Sequence, residues 1–256
     1  MTDADIRLAH ALADAAGAAI RPFFRAPFDI ETKLDASPVT QADQAAERAI
    51  RALLAAHAPT DGIIGEEYGR ERDDADRVWV LDPIDGTRAF IAGRPIFGTL
   101  IALLERGRPV LGVIDQPISG ERWIGAAGRP TTLSGHPVTT RRCPALAQAL
   151  LATTSPWLFD TAGGAAFDRV RESVRDVALN GDCYNYGLLA AGHGDIVLEQ
   201  GLQLYDFAAL VPVVEGAGGL MRDWRGRPLD ANSDGSVIAV GDPALLDPIL
   251  ALVAAV

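Results

Sequence analysis

Basic side chains are scarce in this 256-residue chain: 23 Lys and Arg stand against 34 Asp and Glu, a net charge of −11. A surface of that sign repels a nucleic-acid backbone, so no nucleic-acid partner is expected. A small phosphorylated ligand stays possible, provided a cation sits between the protein's carboxylates and the phosphate. Cysteine is scarcer still. Cys143 and Cys183 cannot form a disulfide framework and lack metal-ligand spacing, which predicts reduced thiols in a cytoplasmic protein. His10, His57, His136 and His193 show no zinc spacing either. No run approaches the roughly 18 apolar residues that span a bilayer. Asp3, Asp5 and Arg7 precede any apolar run, unlike a signal peptide. The chain is therefore expected to be soluble, with no membrane partner. Gly163-Gly164 and Gly216-Ala217-Gly218-Gly219 lack the order and spacing of phosphate-cradling loops. The four Trp residues are assigned to core or interface packing.

Hydrophobic residues make up 48% of the chain, enough for a real core. Ile6, Ala9, Leu12, Ala13, Ala16 and Ile20 recur at helical spacing, with Asp3 or Asp5 as the expected cap. Residues 26–38 predict a loop or weak hairpin, and Ala46, Ala49, Ile50, Leu53 and Leu54 one face of a second helix. Strand patterns follow at 63–64, 78–81, 99–105, 110–114 and 122–126, joined by Gly/Pro turns, which suggests an antiparallel meander. Beyond residue 150 strands and helices alternate, with a single helix expected over 207–216 and a closing helix after Pro243. The pattern predicts a layered α+β protein. A soft boundary divides it into an N-terminal half, 1–145, and a C-terminal half, 146–256, which together can form one structural domain.

Acidic residues at strand ends carry the functional signal. Asp82-Pro83-Ile84-Asp85-Gly86-Thr87 follows a short buried strand. Pro83 restricts the backbone and Gly86 permits a tight turn, so Asp82 and Asp85 can aim at one hard cation. Gly65-Glu66-Glu67 ends the preceding strand, and pairing of the two strands would set Glu66 beside Asp82. Asp206 precedes a helical run. Local roles stay open for each: a turn for Asp82, a solvated loop end for Glu66-Glu67, a helix cap for Asp206. The amides of Gly86 and Thr87 can donate to phosphate oxygens.

Gly65-Glu66-Glu67, Asp82-Pro83-Ile84-Asp85-Gly86-Thr87 and Tyr205-Asp206 together resemble, in order and spacing, the signature of the inositol monophosphatase family. The resemblance runs over nearly the whole chain; Tyr205 stands where the family usually has Trp. It implies an αβαβα layered fold and a Mg²⁺-dependent phosphatase with two or three ions. It assigns Glu66, Asp82, the Ile84 carbonyl, Asp85 and Asp206 as metal ligands, Glu66 also serving catalysis. Val39-Thr40-Gln41-Ala42-Asp43 matches a further family pattern, implying that Asp43 and Thr87 orient and deprotonate the attacking water. Asp43 can also belong to a helix-capping motif with Thr40. Lys33 falls in a loop that closes over the metals in related enzymes. A homodimer is common in the family.

Thr87-Arg88-Ala89-Phe90, Gly112-Val113-Ile114-Asp115-Gln116-Pro117, Gly181-Asp182-Cys183-Tyr184 and Glu199-Gln200-Gly201-Leu202 resemble the histidinol-phosphatase branch. That implies histidinol phosphate as substrate and a place in histidine biosynthesis. Asp182 and Glu199 can meet its ammonium and imidazole, although Asp182 can equally cap a helix starting at Cys183. Inositol 1-phosphate is the alternative substrate, and a non-catalytic phosphate-binding relative the alternative class.

Overall fold

The computed structural model describes residues 1–26, 30–32 and 38–254; Lys33 lies outside the described residues. Helix α1 (Asp3–Ile20) buries Ala9, Leu12, Ala13, Ala16 and Ile20, as its periodicity dictates. Its cap is Thr2, not Asp3 or Asp5. Thr2 Oγ1 accepts from the Asp5 amide at 3.3 Å, and the Asp5 carboxylate accepts from the Thr2 amide at 2.5 Å, a reciprocal capping box. Strands β1 (Ile30–Thr32) and β2 (Pro38–Thr40) pair antiparallel, the expected weak hairpin. Helix α2 (Gln41–His57) follows and packs on α1.

Next come β3 (Gly62–Gly65), β4 (Gly69–Glu71), β5 (Arg77–Asp85), the short helix α3 (Thr87–Ile91), β6 (Gly98–Glu105), β7 (Arg108–Gln116), β8 (Glu121–Ala126), β9 (Arg129–Leu133) and β10 (His136–Pro137). They form an eight-stranded sheet in the order β10-β9-β8-β7-β6-β5-β3-β4. From β5 to β10 it is the expected antiparallel meander, whereas β3 and β5 run parallel, Gly65 opposite Leu81. The second half contributes β11 (Leu150–Thr153), α4 (Thr161–Ser173), β12 (Asp176–Leu179), α5 (Asp182–Ala190), β13 (Ile196–Glu199), α6 (Leu204–Phe207), α7 (Leu210–Gly216), β14 (Leu220–Arg222), β15 (Val237–Val240) and α8 (Leu246–Ala254). Its five-stranded sheet has the order β12-β11-β13-β15-β14.

Three buried clusters define the layers. One sets α1 and α2 against the outer face of the large sheet. A second fills the space between the sheets, where α5, α6 and α7 meet residues of both. The third packs α4 and α8 on the far face of the small sheet. The result is the αβαβα stack that the motifs imply. In the central layer α7 lies directly on the large sheet. A Cβ added to Gly112 would come within 1.9 Å of the Ala209 carbonyl oxygen, and one on Gly125 within 2.1 Å of that of Pro212. The single helix expected over 207–216 is divided in two. Pro212 has no N–H for the Ala208 carbonyl, so the ladder is interrupted between α6 and α7, and Asp206 falls inside α6 rather than before it.

Candidate metal and phosphate site

The site grows from the parallel pairing of β3 and β5. That ladder continues past Gly65, the Glu66 amide donating to the Leu81 carbonyl at 3.1 Å, which sets Glu66 beside Asp82 as the two strand ends predicted. Strand β5 does not stop at Asp82. Its pairing with β6 shifts between Asp82 and Asp85 and resumes at Asp85 opposite Gly98, a bulge that re-aims side chains. Within it, Asp82 Oδ1 accepts from the Ile84 amide at 3.1 Å, and the buried Thr99 hydroxyl donates to the Pro83 carbonyl at 2.7 Å. Gly86 turns the chain with φ +86°, a conformation that favours glycine. The Thr87 hydroxyl then donates back to the Ile84 carbonyl at 3.1 Å.

Two triads of acids converge here. Ligand oxygens of Asp82, Asp85 and Asp206 lie within 4.8 Å of one another, as do those of Asp43, Glu66 and Glu67. Asp43 and Asp82 are almost fully buried. Burial first, then repulsion from Glu66, Asp85, Asp206 and Asp43, pushes Asp82 well above the ordinary carboxylate range. Asp85 is raised in the same way, by burial and then by Asp182 and Asp206, although its Oδ2 accepts from the Cys183 amide at 2.6 Å. Burial, with Glu66, Glu199 and Asp182 nearby, lifts Asp206 to about 7 against the bond it accepts from the Gln203 amide. Crowded hard oxygens with too little positive charge among them are what a divalent cation relieves, and the donor set suits Mg²⁺ or Ca²⁺ rather than zinc. The residues present fit such an ion.

Local roles weighed for these acids are partly visible too. Asp206 occupies the third position of α6, where its Oδ2 accepts from the Gln203 amide at 2.6 Å. It closes a capping box and contributes to a triad at once. Asp182 does not take the cap role left open beside substrate contact: α5 begins at Asp182, Gly181 is its N-cap, and no side chain bonds there. Instead Asn180, Gly181 and Asp182 adopt φ of +71°, +117° and +44°, a turn that brings Asp182 against Gly86. Burial and Glu199 raise Asp182 to about 7, opposed by Arg88.

Glu66, Asp85, Gly86, Thr87, Asp182, Glu199 and Asp206 all line one cavity of about 660 Å³; Asp43, Asp82 and Ile84 do not line it, each being at most 2% exposed. Glu199 ends β13, where Thr154 donates to it through its hydroxyl and its amide, and Tyr186 through its phenol at 2.9 Å. Burial nonetheless raises it. Sequence reasoning placed Glu67 beside Glu66 at the strand end but assigned the metal to Glu66 alone, and it missed Arg88 and Arg94 in the wall and Trp157. Trp157 lies at the cavity rim and is 88% exposed, so of the core or interface roles given to all four tryptophans it does not take the core one. The Ser155-Pro156 pair ahead of it, a 3₁₀ start with Ser155 as cap, was the available signal.

Among the described residues no helix is long and apolar enough to cross a membrane. The model of the inositol monophosphatase family matches residues 2–255. The Arabidopsis thaliana chloroplastic bifunctional phosphatase IMPL2 is 53% identical over 242 residues, covering 91% of this chain and 70% of the relative. A histidinol-phosphatase of Chlorobaculum parvum is 36% identical, with 92% of both chains covered. The solved structure of an inositol monophosphatase from Zymomonas mobilis superposes with a TM-score of 0.92 at 62% identity, covering 98% of both chains.

Proposed function

This chain belongs to the inositol monophosphatase family, a phosphatase family that is metal-dependent, and from that premise we propose that it hydrolyses histidinol phosphate to histidinol and phosphate, using Mg²⁺. The observation that carries the reaction is the pair of acidic triads set against one cavity. In this reading Glu66, Asp82, Asp85, Asp206 and the Ile84 carbonyl hold two or three ions. Bound Mg²⁺ supplies charge neutralisation at the phosphoryl oxygens and a more acidic water. Asp43 takes the proton of the attacking water, and Thr87 orients that water with the lone pairs its hydroxyl does not use toward Ile84. The Gly86 and Thr87 amides steady the phosphate oxygens. Since a water-activating pair has no use in a silent phosphate binder, Asp43 with Thr87 favours an enzyme.

The substrate reading rests on the far wall. Asp182 and Glu199 offer acceptors to an ammonium and an imidazole, and exposed Trp157 offers a face on which a planar cationic ring can stack. Inositol 1-phosphate is the second reading, favoured by the description of the Zymomonas mobilis protein as an inositol monophosphatase. Residues 1–145 supply the Asp43, Glu66 and Glu67 triad and the Asp82–Thr87 turn, residues 146–256 supply Asp206 and the far wall, and we treat the two halves as one functional domain. Two free cysteines accord with a cytoplasmic enzyme of histidine biosynthesis, and a homodimer is the expected assembly. Phosphate release from histidinol phosphate, inositol 1-phosphate, fructose 1,6-bisphosphate and a nucleotide 3′-phosphate, with and without Mg²⁺, tests the assignment. Histidinol phosphate should lead the panel and EDTA should stop turnover; a preference for inositol 1-phosphate reverses the substrate, and no release from any ester removes the enzyme.

A further inference from the structure

Glu47 is a charged residue with no solvent exposure at all, a rare state unless its partners are built around it. It lies one helical turn beyond Asp43 on α2, so both carboxylates leave the same face of the helix. Asp43 joins the acidic triad, while Glu47 reaches the three-residue turn between β3 and β4. There Oε2 accepts from the Glu67 amide at 2.8 Å, and Oε1 accepts from the Tyr68 amide at 3.2 Å. Arg51, a further turn along α2, donates to Oε1 at 2.8 Å and to the Gly69 carbonyl at 2.6 Å. Arg48 of the same helix donates to the Tyr68 hydroxyl. The turn that presents Glu66 and Glu67 is therefore clamped at several points to the helix that presents Asp43.

Gly65 records the same clamp from the other side. A Cβ there would fall 2.0 Å from Glu47 Oε1 and 2.5 Å from its carboxyl carbon. Gly65 has no positive φ to account for it. The glycine of the Gly-Glu-Glu motif is thus required by the space that a carboxylate 18 residues upstream in sequence occupies.

We propose that Glu47 is a positioning residue for the metal site: its carboxylate sets the spacing between Asp43 and Glu66, and Gly65 is the vacancy that admits it. This rests on the metal assignment above. Neither residue touches substrate, so the effect belongs in cation affinity rather than in the chemical step. Loss of such a supporting contact typically weakens metal binding by roughly 10- to 100-fold.

The test is calorimetric titration of Mg²⁺ into chelator-stripped wild type, Glu47→Ala, Gly65→Ala and the double variant, without substrate, alongside circular dichroism and turnover at saturating Mg²⁺. Each single variant should stay folded, bind Mg²⁺ roughly ten-fold or more weakly, and recover most of its kcat when Mg²⁺ is raised. The double variant should bind no more weakly than Glu47→Ala alone, because removing the carboxylate makes room for the new methyl; such non-additivity is the mark of two groups sharing one space. Unchanged Mg²⁺ affinity in either folded variant overturns the proposal, as do strictly additive losses. If Glu47→Ala does not fold, Gly65→Ala decides alone, and failure of both to fold reduces Glu47 to a structural residue and overturns it too. Absence of Mg²⁺ binding by the wild type would instead sink the metal assignment itself.

Discussion

Asp206 shows how strongly burial, with Glu66, Glu199 and Asp182 nearby, disfavours charge in the site. Its folded pKa is raised to about 7, while its ordinary value is 3.8. The native state therefore binds more protons than the unfolded chain between those values, and stability falls as pH rises through that window. Each pH unit is about 1.4 kcal/mol, so raising pH from 5 to 8 should remove roughly 3 kcal/mol through this group alone. For a domain of this size that is about 6–12 °C in Tm. Asp206→Asn keeps an acceptor for the Gln203 amide but cannot ionise. Melting curves of the EDTA-treated proteins from pH 5 to 8 should show the wild type falling away from the variant by up to that amount, the variant being the more stable at pH 8. Saturating Mg²⁺ should close the gap by raising wild-type Tm more at pH 8 than at pH 5, with little effect on the variant. Parallel pH profiles for the two stripped proteins, or a Mg²⁺ shift independent of pH, would refute the reasoning.

Asp85→Asn should lower kcat by roughly 1000-fold or more, since it removes several kcal/mol of charge stabilisation, while circular dichroism stays native because an amide oxygen can still accept from Cys183; retained turnover would show that the metal ligands are misassigned. Asp182→Asn should raise KM for histidinol phosphate by roughly ten-fold or more, the usual scale for a charged hydrogen bond, and change KM for inositol 1-phosphate much less; equal effects on both esters would remove Asp182 from substrate selection. Trp157→Ala should do the same more mildly, roughly two- to five-fold, as befits a stacked cation at an exposed site, and gel filtration should show an unaltered oligomer. Gly112→Ala should destabilise the fold by up to roughly 3 kcal/mol through overpacking against the Ala209 carbonyl, read as a lower Tm; a change under about 0.5 kcal/mol would mean that α7 yields more easily than its close approach implies.

What the sequence disclosed and what it hid follow from the range of each contact. Both N-terminal helices were legible because burial of Ala9, Leu12 and Ile20, or of Ala46 and Ile50, repeats with the helix period. The approach of Glu66 to Asp82 was legible because two apolar strands each end in an acid, and parallel pairing aligns such ends. The division of 207–216 was missed because Pro212 was counted as a helix residue rather than as a missing donor. Glu47 was invisible for another reason. On an amphipathic helix a Glu followed by an Arg looks solvated, and only the turn between β3 and β4, folded back over it, makes it a buried acceptor. Trp157 ran the opposite way: tryptophan is usually buried, and the local mark against a core place was the Ser155-capped turn just ahead of it.

These cases share an energetic consequence. Asp82, Asp85 and Asp206 are brought together by elements anchored elsewhere: β5 by its ladders to β3 and β6, and α6 by the α7 that rests on Gly112 and Gly125. The acids cannot relax apart without giving up that packing, so without a cation the fold retains both the burial and the mutual repulsion that raise their carboxylate pKa values. By linkage, a ligand that relieves strain in the native state binds more tightly by the amount it relieves. Substitutions that remove an acid should therefore stabilise the stripped protein and weaken Mg²⁺ binding together, whereas Glu47→Ala, which loosens the frame and leaves every acid in place, should lower both. Opposite signs for these two classes would separate the acids that create the field from the residue that holds them at their spacing.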